Sequence, residues 1–243
     1  LKIPIPPLPV QQEIVRILDD LTKVTIELNK ELNTELEARK KQYEYYRDLL
    51  LTFGDEVEWI AELCPDGVEY IPLGEVLKNN NAPNSIPKKY YKDNGDIPII
   101  DQSQVYIAGY TDDESAVPPI LPCIIFGDHT RVVKYADRKF AQGDSGTKVF
   151  IPVTEDLNTK YIYYAFCNID IPSRGYNRHW TIAKNIKIPI PPLPVQQEIV
   201  RILDNFTELT AELTAELTAE LTARRKQYEY YLNKLLDFKE VSS

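Results

Sequence analysis

Toward the end of the chain, apolar side chains recur at intervals of three and four: Ile199, Ile202, Leu203, Phe206, Leu209, Leu213, Leu217 and Leu221. That period draws one stripe along an amphipathic helix. Near the start, Ile14, Ile17, Leu18, Leu21, Val24, Leu28, Leu32 and Leu36 draw the same stripe. No Gly or Pro interrupts residues 10–53 or 195–243. At 1.5 Å per residue, about 43 helical residues make a rod of roughly 64 Å. A rod that long with a single apolar stripe needs a partner helix, and each arm is the obvious partner for the other. Both rods follow a short β-branched stretch broken by prolines: Ile3 and Ile5 with Pro6, Pro7 and Pro9, then Ile188 and Ile190 with Pro191, Pro192 and Pro194. Proline is excluded from central strands and helix interiors but tolerated in a first helical turn. These stretches therefore read as stiff extended corners, with helices starting at Val10 and Val195.

Between the arms the period changes. Ile97–Ile100, Val105–Tyr110, Cys123–Phe126, Arg131–Tyr135 and Thr147–Val153 are Ile-, Val- and Tyr-containing runs separated by Gly, Pro and Asp. They predict strands. Leu157–Cys167 predicts a helix. The expected fold class is mixed α/β: one globular domain with an irregular sheet, plus two long helices.

The arms are copies of each other. Residues 1–50 recur at 186–235 with 35 of 50 positions identical, including an unbroken run from Lys2 to Asp19. The expected organisation is arm (1–53), domain (54–185), arm (186–243). The first rod leads into the domain and the second leads out of it. Domain ends commonly lie close together, so the rods are expected to form an antiparallel coiled coil. The second arm also carries Thr210-Ala-Glu-Leu, Thr214-Ala-Glu-Leu and Thr218-Ala-Glu-Leu, then Thr222-Ala. Adding or removing one such unit changes a helix by about 6 Å and about 40°. Successive base pairs are related by roughly 34–36°. The run can therefore set the spacing and phase of two DNA-reading domains; slippage in a tolerant surface helix is the plainer alternative.

Composition narrows the classes. With 243 residues and 43% hydrophobic side chains, the chain can bury a core. No stretch approaches the ~18 uncharged apolar residues of a membrane span, and the start lacks the basic-then-apolar order of a signal peptide. Cys64, Cys123 and Cys167 are odd in number and lack C-x-x-C spacing, which predicts a reducing cytoplasm and no structural zinc. A complete translated chain starts with Met and this one contains none, so the expectation is a chain that begins inside a longer protein or has been trimmed.

Net charge −9 argues at first sight against nucleic acid. Distribution matters more than the total. Ile171–Lys187 holds Arg174, Arg178, Lys184 and Lys187 with no acidic residue, interleaved with Tyr176, Asn177, His179 and Trp180. Lys88, Lys89 and Lys92 flank Tyr90 and Tyr91, and His129 and Arg131 lie near Lys134, Arg138 and Lys139. Arg can fork onto guanine or hold phosphate, and Asn can pair with adenine. Solvated loops have the same composition. Gly143-Asp-Ser-Gly146 is similar to the nucleophile loop of chymotrypsin-like proteases, but neither His129 nor His179 sits in that family's Ala-His-Cys context. No G-x-G-x-x-G, P-loop, H-E-x-x-H or Asn-Pro-Pro-Phe-type motif is present.

Two proline-to-helix arms around one domain, the repeated Thr-Ala-Glu-Leu unit, the opening Cys64-Pro-Asp-Gly-Val-Glu-Tyr-Ile-Pro-Leu-Gly-Glu-Val, Phe126-Gly-Asp-His-Thr-Arg131 and Gly175-Tyr-Asn-Arg-His-Trp180 together resemble the specificity subunit of type I restriction-modification systems. In that family two target-recognition domains, held apart by two antiparallel helices, each read half of a split DNA sequence, and the helices bind the modification subunits. This chain departs from the pattern by having one such domain, like a truncated or half-sized form. The resemblance implies a non-catalytic, cofactor-free subunit whose partners are double-stranded DNA, methyltransferase subunits and, through them, the restriction endonuclease-translocase. A homodimer would restore two half-sites. DNA contacts are expected from Lys88, Lys89, Lys92, His129, Arg131, Lys148, Arg174, Tyr176, Asn177, Arg178 and His179. The rival reading is a structural adaptor, a helical hairpin presenting a protein- or carbohydrate-binding domain.

Overall fold

The computed structural model describes residues 5–53, 58–173, 175 and 177–238, and it divides into two units, Tyr46–Leu203 and the two outer segments Leu1–Tyr45 with Asp204–Ser243. In chain order the elements are α1 (Leu8–Thr52), α2 (Glu58–Leu63), β1 (Glu69–Pro72), α3 (Leu73–Val76), β2 (Leu77–Asn79), β3 (Ile97–Ile100), β4 (Gly109–Thr111), β5 (Cys123–Gly127), β6 (Val133–Ala136), β7 (Ala141–Gln142), β8 (Thr147–Pro152), α4 (Thr159–Cys167), α5 (Trp180–Ala183), β9 (Lys187–Ile190) and α6 (Leu193–Leu236). Arg174 and Tyr176 lie outside the described residues.

Within Tyr46–Leu203 three small sheets form around β5. Every residue of β5 is buried, which is why its sequence is a continuous apolar run. It sits inside the antiparallel order β2-β8-β5-β6, with Ile124 opposite Phe150 and Ile125 opposite Lys134. Ile100, Cys123, Ile125, Ala136, Phe140, Val149 and Ile151 close the core on one side of it. The second sheet, β4-β3-β7, pairs β3 with β7 in parallel and buries Ile97 and Ile99 with Ile86, Ala116 and Ala141. α4 begins where the Asn158 carboxamide accepts from the N–H groups of Lys160 and Tyr161, satisfying two otherwise orphaned donors. Its Phe166 ring stacks 5.1 Å from Phe126.

The third sheet is a clasp. β1 and β9 pair antiparallel, Glu69 opposite Ile190 through Pro72 opposite Lys187, and so fasten the beginning of the domain to its end. Two strands leave each proline on an edge, where its missing N–H costs no ladder bond. Just beyond, Gln196 is buried in the first turns of α6. Its amide donates to the carbonyls of Pro191 (2.8 Å) and Asp156 (3.3 Å), and its oxygen accepts the Asn158 N–H (2.8 Å). Val195, Ile199 and Leu203 are buried with it.

In the other unit α1 and α6 continue as rods. α1 leads into the domain and α6 leads out of it. Ile14 and Leu32 are buried and Ile17, Leu18, Leu21, Leu28 and Leu36 are half-buried, the stripe expected of a paired helix. The hydroxyls of Thr210, Thr214, Thr218 and Thr222 each donate to the carbonyl four residues earlier, at 2.7–2.9 Å. The repeat thus carries its own ladder on the helix surface.

The copied sequence occupies unlike surroundings. Val195 is 1% exposed whereas its counterpart Val10 is 42% exposed, and Ile5 and Leu8 are also exposed. Gln11 still donates to the Pro6 carbonyl (2.6 Å), as Gln196 does to Pro191, so both corners make the same closing bond.

Candidate nucleic-acid interface

Three loops meet at the end of β5, and two buried polar residues join them. Asp128, immediately after the strand, donates its N–H to the Gly146 carbonyl (2.8 Å). Its carbonyl accepts both the backbone N–H of His179 (2.8 Å) and the His179 ring at Nδ1 (2.9 Å), which assigns the proton to that nitrogen. Its carboxylate accepts the Trp180 N–H (2.8 Å) and lies 3.6 Å from Lys148 Nζ. Through its backbone and its carboxylate, this one residue ties the Asp128–Arg131 loop, the Gly143–Gly146 turn, β8 and the start of α5 together.

Gln102 does the same from the loop after β3. Its oxygen accepts the His129 N–H (3.3 Å), its amide donates to Asp144 (2.8 Å), and its carbonyl accepts the Thr130 hydroxyl (2.5 Å). The approach is close: a Cβ on Gly146 would meet the Gln102 carboxamide, which would have to shift and give up its present bonds. Arg131 adopts the left-handed conformation (φ 64°) that is uncommon outside glycine, and its guanidinium donates to the Ile171 carbonyl (2.9 Å).

The structure sorts the expected contact residues. His129, Arg131 and Lys148 belong to this junction. Asn177 and Arg178 lie exposed beside it. His179 is 1% exposed and turned inward to the Asp128 carbonyl, so it braces the segment and does not face solvent. Trp180 likewise faces inward, 4.2 Å from the Phe150 ring with Phe126 and Phe166 around it. Lys88 and Lys89 are exposed on a single helical turn (Lys88–Tyr90), Lys89 over the Tyr90 ring at 4.8 Å. Lys92 pairs with Asp112 (2.6 Å), so its charge is engaged locally. That patch adjoins the β4-β3-β7 sheet, and Tyr91 joins it to the junction by donating to Asp101 (3.2 Å). Burial and the Asp101 charge push the Tyr91 phenol well above its ordinary value, keeping it a donor.

Sequence reasoning searched for cations and so passed over Asp128 and Gln102. The available signal was Gly127-Asp128 and Asp101-Gln102 directly after apolar runs, the place where a strand hands over to a loop. Ser145 is exposed in a tight turn whose Asp144 accepts the Ser145 N–H, and the His179 ring is committed to Asp128. Among the described residues no group of three His, Cys, Asp or Glu is placed to hold a metal, and no helix is long and apolar enough to cross a membrane. A braced surface of Arg, Lys, Asn and Gln side chains on loops is chemically suited to phosphates and base edges.

Comparison with known proteins points the same way. The family model described as the type I restriction modification DNA specificity domain matches residues 1–38 and 65–223. The specificity subunit of the Escherichia coli type I restriction enzyme EcoR124I/EcoR124II is 35% identical over 272 aligned positions, covering 98% of this chain and 63% of that protein. The Mycoplasma pneumoniae protein S.MpnORF615P is 29% identical over 241 positions, covering 93% of this chain and 89% of its own. The crystal structure of the type I restriction-modification S subunit from M. genitalium superimposes with a TM-score of 0.61 at 17% identity, over 96% of this chain and 62% of that one. At that identity the likeness concerns the fold. The chain spans about 63% of the length of the E. coli relative.

Proposed function

Because the chain belongs to the type I restriction-modification DNA specificity family, we propose that it is a non-catalytic subunit that recognises DNA sequence for a methylating and cleaving complex. Its globular domain reads one half of a bipartite site. Its rods act as spacer and as docking surface for methyltransferase subunits, and through them for the endonuclease. The observation that carries this reading is the duplicated arm. One copy holds a recognition domain through Val195, Gln196, Ile199 and Leu203; the other offers Val10, Gln11, Ile14 and Leu18 in the same corner geometry with its apolar surface partly open. A protein that uses one seat twice is organised to position two reading domains, and in a homodimer each chain brings one.

The net charge of −9 is compatible with this, since phosphate affinity is sequence-independent and can be supplied by partner subunits. The test is DNA retention and adenine methylation by the chain assembled with its methyltransferase subunits, at fixed salt. Sequence-dependent retention is expected; equal retention of all sequences would contradict the reading. Light scattering of the isolated chain reports the second element: a dimer is expected, and a strict monomer would contradict the homodimer.

A further inference from the structure

Between β3 and β4 the chain runs Asp101-Gln-Ser-Gln-Val-Tyr-Ile-Ala108. Sequence reading expected a strand from Val105 to Tyr110, yet only Gly109 onward pairs. Residues 101–108 form a loop with an interior root and a protruding tip. Asp101 and Gln102 are buried; Gln104 is exposed, and Val105, Tyr106 and Ile107 are 45–59% exposed.

The root is fastened with unusual thoroughness. Asp101 accepts from the Ser103 N–H and hydroxyl and from the Tyr91 hydroxyl. Lys134 reaches through the interior from β6 and donates to the carbonyls of both Asp101 (2.8 Å) and Val105 (2.6 Å). Burial holds this ammonium below the ordinary lysine value, so the staple is kept at a cost to stability. The tip is steadied by Tyr106, whose hydroxyl donates to the Tyr135 carbonyl (2.7 Å). A fold seeking only stability would bury three adjacent apolar side chains instead of bracing them in water.

Beside the tip lies a cleft of about 450 Å3 whose polar lining is Gln104, Thr130, Arg131 and Asp170. Arg131 is held there in a strained backbone conformation and anchored to the Ile171 carbonyl. Strain and a buried ammonium, both spent on one loop pair, are the marks of preorganisation for a ligand.

Given that the domain reads DNA, we propose that the 101–108 loop is its base-reading element, with Gln104 and Arg131 as specificity-determining side chains and Val105–Ile107 as the apolar surface laid against the bases. Gln pairs with the adenine edge and Arg with the guanine edge, and aliphatic tips contact the thymine methyl or wedge between steps. The loop carries no cation, so it contributes letters and leaves phosphate affinity to the lysines around Lys88 and Lys148.

The experiment uses the chain assembled with its methyltransferase subunits, acting on DNA randomised across the site, with the methylated molecules sequenced. Gln104→Ala and Ile107→Ser change exposed residues and leave the fold in place. Each is expected to flatten base preference at one or two positions of one half-site by about tenfold, leaving the other letters intact. Lys88→Ala, by contrast, lowers methylation of all sequences alike. Unchanged letters in both loop variants would overturn the proposal. Weakened assembly by Ile107→Ser, with the letters read by the remaining complex intact, would also overturn it, marking the tip as a protein contact. A wild-type complex without sequence preference would overturn the recognition reading along with it.

Discussion

The two copies of the arm provide an internal control for how a domain is fixed to a helix. Gln196→Met keeps the length of the side chain but removes the acceptor for the Asn158 N–H and the donors to Pro191 and Asp156. Gln196 and Pro191 are buried while Asn158 is half-buried and Asp156 exposed, and each buried polar group left unpaired costs about 1–3 kcal/mol. Burying a thioether in place of an amide returns part of this. The net destabilisation is expected at about 2–4 kcal/mol. Gln11→Met is the same substitution in the same local sequence, but Gln11 is half-buried and its bond to Pro6 can be replaced by water, so the cost is expected below about 1 kcal/mol. Urea unfolding followed through Trp180, which reports the aromatic cluster of the domain, measures the difference. With m near 2 kcal/mol/M, a midpoint shift of about 1–2 M is expected for Gln196→Met and less than about 0.5 M for Gln11→Met. Equal shifts would refute the idea that the glutamine locks the domain to the second arm only.

Two further outcomes rest on buried groups. Burial, with Tyr70 and Cys64 nearby, holds the Tyr161 phenol above its ordinary value while it donates to the Pro189 carbonyl at 2.8 Å. A folded value raised above the unfolded one contributes stability that is complete below about pH 10 and is lost as pH rises further. Tyr161→Phe should therefore flatten the alkaline fall in stability, and an unchanged slope would contradict this. Burial pushes the Cys123 thiol up to about 12, so it should resist alkylation at pH 8 until the domain unfolds; prompt labelling of the native chain by mass spectrometry would contradict its placement.

Much of the architecture could be read from residue patterns because the patterns have physical periods. The three-and-four spacing of Ile14 to Leu36 and of Ile199 to Leu221 matched α1 and α6, and the apolar run at Cys123 marked a strand buried on both faces. Leu157–Cys167 became a helix two residues shorter, starting after the Asn158 cap. The elements that escaped were set by distant pairing. Lys187–Ile190 reads as a proline-broken corner, and only its match with Glu69–Pro72 makes it a strand. The strand expected from Arg131 begins at Val133 because Arg131 turns left-handed. In the candidate site, Arg131, Lys148 and Arg178 could be found as cations near aromatics. His179 shared that composition but is satisfied inside by a backbone carbonyl, which composition does not encode. Gln102, Gln104 and Lys134 act through a loop geometry that no local pattern announces.

The central claim is that one domain reads letters while the rods set their spacing, and deleting Thr218–Leu221 separates the two most directly. Removal of one unit shortens α6 by about 6 Å and rotates the remainder of the helix by about 40°, close to the phase of one base pair. The measurement is the sequence profile of DNA methylated by the assembled complex, wild type against deletion. The account predicts a bipartite profile whose half-site letters stay the same while the preferred spacer between them shortens by about one base pair. An unchanged spacer with methylation retained, or altered letters with the spacer kept, would contradict it.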